Sequence, residues 1–214
     1  MAKIKTFSLS GYSLDWIYNS TKSNYAEADI VVLEGGADWN PRLYNEEPNN
    51  FVNWLNPNRD HQEMELMRQA SKDGKIMFGI CRGIQGLTIF NGGKLIQHID
   101  HPGSHRVYNK DGSIHISNSL HHQMCYPFNL PDEDYIVLGY TKGLSGRYLG
   151  ENNNVIPMPK DEEGYSIEPE ILYFPKTRSL GAQYHPEMMS IHSDAVGKCN
   201  EYLNELFETG KIKC

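Results

Sequence analysis

Residues 75–83, KIMFGICRG, constrain the fold of this chain more than any other stretch. A continuous apolar run, the pattern of a strand covered on both faces, passes straight into Gly79-Ile80-Cys81-Arg82-Gly83. RGIQGLTIF then reads as a helix closed by Asn91-Gly92-Gly93. A cysteine at the apex of a strand–turn–helix is the GxCxG counterpart of the GxSxG nucleophile elbow. The turn is sharp enough that a side chain at 79 or 83 is expected to strike the neighbouring strand or helix. The helix beyond Cys81 favours a thiolate, because its first N–H groups and its dipole stabilise negative charge. Taken alone, the pentapeptide fits a small core cysteine before a helix about as well.

The remaining segments frame this elbow. KIKTFSLS (3–10) reads as a first strand and DIVVLEGG (29–36) as a second, buried one. HQEMELMRQASKDGK (61–75) sets Met64, Met67 and Ala70 at helical spacing and stops at Asp73-Gly74. Residues 13–27 are expected to form another helix. Strand, helix, strand, helix in this order predicts an α/β sheet with right-handed crossovers. The middle pieces KLIQHI, SHRVY, SIHIS and YIVLGYT are short and separated by turns, which predicts antiparallel strands accessory to the main sheet. Residues 142–169, rich in Gly, Asn, Pro and acids, predict a long surface excursion. ILYFP and SLGAQYH (179–185) return as strands, and Ala195, Cys199, Tyr202, Leu203 and Leu206 fall on one helical stripe.

Composition removes several functions. Lys plus Arg is 20 against 27 Asp plus Glu, a formal charge of −7, which lacks the basic footprint of a nucleic-acid or anionic-membrane binder. No apolar run approaches the roughly 20 residues needed to span a bilayer. The N-terminal MAKIKTFSLSGYSLDW has no long apolar stretch, so no secretory leader is expected. Cys81, Cys125, Cys199 and Cys214 form no CxxC pair, which fits free thiols in a reducing cytoplasm.

A cysteine nucleophile needs a base, and nine histidines are present. His185-Pro186-Glu187 follows the strand LGAQY, so its imidazole falls at a strand's C-terminal end, where open α/β sheets place their sites. A carboxylate two residues on can orient the ring.

GICRGIQGLTIFNGGKL, NSLHHQ and LGAQYHPE, in that order, resemble the class I glutamine amidotransferase superfamily. The run Glu34-Gly35-Gly36-Ala37-Asp38-Trp39-Asn40-Pro41-Arg42-Leu43-Tyr44-Asn45-Glu46 is similar to the GGxDxxPxxYxE loop of its γ-glutamyl hydrolase branch, the γ-glutamyl-GABA hydrolases among them. Arg59-Asp60 with Glu63 resembles the segment that opens a helix in that branch. Arg82 directly after the cysteine is also typical of it, where synthetase-linked amidotransferases usually carry Leu or Tyr. The resemblance covers residues 29–141 and 170–207. It departs in two places. Only 28 residues precede DIVVLEGG, where the family fits a strand, a helix and a second strand, so an edge strand is expected to be missing or reduced. The excursion lacks a clean DGxxEA segment, Glu170 being its closest equivalent.

The resemblance implies a flavodoxin-like, mostly parallel open sheet with helices on both faces and a small antiparallel accessory sheet, in one catalytic domain over 1–214. It implies Cys81 as nucleophile, His185 as base and Glu187 as the group that orients it. The backbone N–H groups of Gly36 and Arg82 would form the oxyanion hole. Gly35, Gln85, Ser119, His122 and Gln123 would bind a small γ-glutamyl amide, and the charges of Arg82 and Glu34 would meet its leaving group. No cofactor or metal is implied. His98, His101 and His105 have a spacing that suits zinc, but no CxxC or HExxH supports it. Two other functions stay open: a glutaminase that feeds ammonia to a synthetase chain, and a non-catalytic regulatory relative. A synthetase partner or a homodimer is left open by the sequence.

Overall fold

The computed structural model describes residues 3–11, 14–100 and 103–213. In chain order its strands and helices are β1 (Ile4–Ser8), β2 (Ser20–Lys22), β3 (Ile30–Leu33), α1 (Pro57–Lys72), β4 (Ile76–Ile80), α2 (Arg82–Phe90), β5 (Lys94–Ile96), β6 (His98–Ile99), β7 (His105–Asn109), β8 (Ile114–Ser117), β9 (Met124–Tyr126), β10 (Ile136–Lys142), β11 (Tyr148–Leu149), β12 (Ile167–Phe174), β13 (Ser179–Ala182) and α3 (Asp194–Thr209).

Nine strands make one sheet in the order β2-β1-β3-β4-β13-β12-β10-β7-β8. From β2 to β13 every neighbouring pair is parallel, and from β13 to β8 every pair is antiparallel. Alternate residues of the parallel strands serve opposite layers. Ile30, Val32, Ile76, Phe78 and Ile80 pack with Ala195, Cys199, Leu203 and Leu206 of α3. Val31, Leu33 and Met77 pack with Met64 and Met67 of α1 and Ile84 and Leu87 of α2. Helices cover both faces of β3 and β4, which is why these two strands are apolar and buried throughout.

The α/β core follows the sequence reading, and α1 starts four residues earlier, on Pro57 behind the Asn56 cap. Three expectations are corrected. Residues 14–27 form no helix but turns and the three-residue β2, so the edge strand is reduced rather than missing. Leu14, Trp16 and Ile17 are buried there all the same, packed against the central sheet and α3. The side chain of Asn200 on α3 holds this irregular backbone, bonding the Trp16 carbonyl at 2.9 Å and the Tyr18 N–H at 2.7 Å. Position 13 lies outside the described residues. Next, the middle strands are antiparallel as expected, but β7, β8 and β10 join the central sheet, and the small antiparallel sheets are the pairs β5–β9 and β6–β11. KLIQHI divides at Gln97, whose buried amide holds Asn49, Glu46 and Glu47. Last, the 142–169 excursion is tied down. Tyr148 and Met158 pack with Ile96, Ile99 and Met124, and the Tyr148 hydroxyl donates to buried Glu168 at 2.6 Å.

Candidate active site

Three adjacent parallel strands assemble the site. β3 ends at Leu33 and releases Glu34-Gly35-Gly36, β4 ends at Ile80 and releases Cys81, and β13 runs out towards His185. All three groups therefore emerge from the C-terminal edge of one sheet, although they lie far apart in sequence.

Cys81 is the N-cap residue of α2, at φ 49° and ψ −104°. A non-glycine residue in that region carries about 1–3 kcal/mol of strain. The glycines around it are sterically required. A Cβ at Gly79 would lie 2.3 Å from the Ile84 nitrogen, and one at Gly83 would lie 2.1 Å from the Leu33 carbonyl oxygen. Arg82 opens α2, so its N–H is among the donors a helix leaves unpaired at its start.

His185 is buried, and its Nδ1 lies 2.7 Å from Glu187 Oε1. Burial works against the imidazolium, but the neighbouring Cys81 and the bonded Glu187 outweigh it and push the pKa up to about 10. Asn118, a residue the sequence reading passed over, grips the His185 backbone from both sides: it accepts from the N–H and donates to the C=O, each at 2.9 Å. No pattern in NSLHHQ announced that role.

The cavity beside Cys81 has a volume of about 790 Å³, and Cys81, His185, Glu187, Glu34, Gly35, Gly36 and Arg59 are in its wall. Leu9, Leu120 and Met188 stand at its mouth, 53%, 62% and 59% exposed. Gly35 fits so closely that a Cβ would lie 2.6 Å from His185 Cε1. Gln85, Ser119, His122 and Gln123, expected at the substrate, are not part of this wall. The Gln85 amide donates to the Gln123 carbonyl at 2.9 Å, the Gln123 side chain accepts the Trp39 N–H at 3.2 Å, and His122 Nε2 bonds Asp38 at 2.9 Å. These three brace the 34–40 loop from behind.

Arg82 is also corrected. Its side chain is fully buried and points away from the cavity, with Nη1 on Glu63 at 2.7 Å and Nη2 on Asp60. Its guanidinium lies 4.0 Å from the centre of the Trp39 ring, and its carbonyl accepts the Trp39 Nε1–H at 2.8 Å. Of the two charges expected at a leaving group, only Glu34 lines the cavity. The sequence carried a signal for this. Asp60 and Glu63 share the buried stripe of α1 with Met64 and Met67, and carboxylates on a core-facing stripe demand a buried cation.

Two of the three histidines at zinc spacing have other partners. His105 is buried against Glu170 at 2.9 Å and Ser117 at 3.0 Å, whereas His98 meets His122, their Nδ1 atoms 3.5 Å apart. His101 lies outside the described residues. Among the described residues no group of three or more His, Cys, Asp or Glu side chains is arranged to hold a metal, and no helix is long and apolar enough to cross a membrane.

A strained cysteine at a strand–helix turn, on one cavity wall with a histidine that bonds a carboxylate, is an arrangement that nucleophilic cysteine chemistry can use. The peptidase C26 family profile matches residues 18–129, more than half of the chain, and the chain belongs to that family. It is 41% identical over 76 residues to the glutamine amidotransferase-like protein YvdE of Lactococcus lactis subsp. lactis, covering 36% of this chain and 32% of the relative. To the YvdE homolog of Lactococcus lactis subsp. cremoris it is 34% identical over 124 residues, covering 58% and 57%. The chain thus matches between about a third and just over half of the length of these relatives. A glutamine amidotransferase from Thermotoga maritima shares the fold, with a TM-score of 0.54 at 14% identity over 100% of this chain and 87% of that one. The fold and family place the chain in the class I glutamine amidotransferase superfamily.

Proposed function

We propose that this chain hydrolyses a γ-glutamyl amide through a thioester on Cys81, releasing glutamate and an amine. The Cys81 thiolate adds to the γ-carbonyl carbon, and the oxyanion is held by the N–H groups of Gly36 and Arg82. His185 passes its proton to the departing amine as the C–N bond breaks. Neutral His185 then takes a proton from water, the resulting hydroxide adds to the thioester carbon, and the C–S bond breaks to return the thiolate and free glutamate. Glu187 keeps the imidazole oriented throughout. Gln85, His122 and Gln123 act on the substrate through the loop they brace, and Ser119 adjoins Leu120 in the cavity wall.

The observation that carries this reading is the conformation of Cys81. A cysteine kept for packing has no need of φ 49° and ψ −104° or of a bonded His185–Glu187 pair, which weighs against a non-catalytic relative. Space favours a substituted amide over glutamine as substrate: about 790 Å³ lies in the range that houses a whole drug-sized ligand, far beyond the need of an ammonia leaving group. The test is glutamate release, read by mass spectrometry, from a panel of γ-glutamyl amides. The purified chain should cleave at least one substituted amide faster than glutamine, with no protein added. If every substituted amide is inert and glutamine turnover rises only with a synthetase chain, the ammonia-feeding glutaminase is the function.

A further inference from the structure

We propose that Arg59 is a positioning residue that latches the oxyanion loop in its working orientation within the isolated chain. This rests on the acyl-transfer reading of Cys81 but not on the identity of the amide. Arg59 lies in the first turn of α1, and its side chain is 29% exposed. Its Nη2 donates to the Gly35 carbonyl at 2.9 Å and to the Glu34 carbonyl at 3.3 Å, while its Nε donates to Glu63 at 2.7 Å.

The consequence follows from the peptide unit. The Gly35 carbonyl and the Gly36 N–H belong to one rigid plane, and in a trans peptide they point in opposite directions. There is no cis peptide among the described residues. A guanidinium that holds the carbonyl on its own side therefore turns the Gly36 N–H to the other side. Without the latch the plane between two glycines is free to rotate, because neither carries a Cβ to resist it. Gly36 sits at φ +154°, and a Cβ there would lie 2.1 Å from Arg59 Nη1, so the loop and the guanidinium are closely fitted.

Glu63 joins the two halves of the hole. One of its oxygens accepts from Arg59, which sets the Gly36 peptide, and the other accepts from Arg82, whose own N–H is the second donor. One buried carboxylate thus keeps the two donors in register across the gap between β3 and α2. An amidotransferase whose loop awaits a partner has no use for such an internal clamp.

The test separates nucleophile from oxyanion hole. Acylation of Cys81 by p-nitrophenyl acetate passes through a tetrahedral oxyanion, and its leaving group needs no proton from His185. Alkylation by iodoacetamide displaces iodide at carbon and forms no oxyanion. Cys81→Ala supplies the blank for both. In Arg59→Ala the acylation rate should fall by about 10²-fold, the loss seen on removing one oxyanion donor, with the alkylation rate unchanged. Millimolar guanidinium chloride should restore acylation in that variant and leave the wild type unaffected. Arg59→Met, which keeps the apolar stem, serves the same comparison if the alanine variant does not fold. Equal loss of both rates, or loss of neither, would overturn the latch, as would failure of guanidinium to restore acylation. If the wild-type chain acylates normally but hydrolyses no γ-glutamyl amide, the proposed function fails while the latch stands.

Discussion

Gly83→Ala adds one methyl group at the tightest point of the elbow. Its Cβ would lie 2.1 Å from the Leu33 carbonyl oxygen and 2.7 Å from the Leu33 carbonyl carbon. Both are backbone atoms, so no rotamer change relieves the overlap. To bring the oxygen contact to a tolerable 3.0 Å, α2 must move by about an ångström from the end of β3. Overpacking of this kind costs about 1–3 kcal/mol, which lowers the melting midpoint of a domain of this size by roughly 2–12 °C. The same shift displaces Cys81 and the Arg82 N–H from the Gly35-Gly36 loop, and an error of about 1 Å at reacting groups costs about 10²-fold in rate. Thermal unfolding and glutamate release, measured on one preparation, read both effects. Gly197→Ala in α3 is the control: a Cβ there meets nothing within 4 Å, and glycine is a poor helix former, so this variant should melt higher by up to about 1 kcal/mol of stability and keep full activity. A Gly83→Ala chain with unchanged midpoint and rate would refute the crowded-elbow account.

A γ-glutamyl chloroketone should label Cys81 in preference to Cys125 and Cys199, because burial pushes both of those thiols up to about 12; equal labelling on peptide mapping would remove the basis for choosing Cys81. His185 has a raised pKa, about 10, so it keeps its proton through neutral pH, and kcat/KM should hold into the alkaline range and fall as pH passes about 10. Glu187→Gln removes one of the groups that raise this pKa, so its alkaline limb should move to lower pH; an unmoved limb would mean that another group governs it. His185→Asn should lose several orders of magnitude in rate and exceed the loss in His122→Asn, and the reverse order would identify the wrong histidine.

Much of this site was legible because its signals are local. An apolar run ending in GxCxG specifies a buried strand, a tight turn and a helix start within a dozen residues. The β-branched run before Gly35 and the helical stripe at Ala195, Cys199, Tyr202, Leu203 and Leu206 are read in the same way, from periodicities of two and 3.6. His185-Pro186-Glu187 was recognisable because both groups leave the same strand end. What the tertiary structure alone decided involves partners distant in sequence. The sequence puts a charge next to Cys81, but the carboxylates of Asp60 and Glu63 draw Arg82 into the core and away from the cavity. Residues 14–27 have side chains to bury, yet the amide of Asn200, over 180 positions away, satisfies a non-helical backbone there. Asn118 reaches His185, and Arg59 reaches Gly35, only because separate crossovers deliver them to one edge of the sheet. A buried charge or backbone group must find a partner, and which partner it finds depends on the elements folded beside it rather than on the residues beside it in the chain.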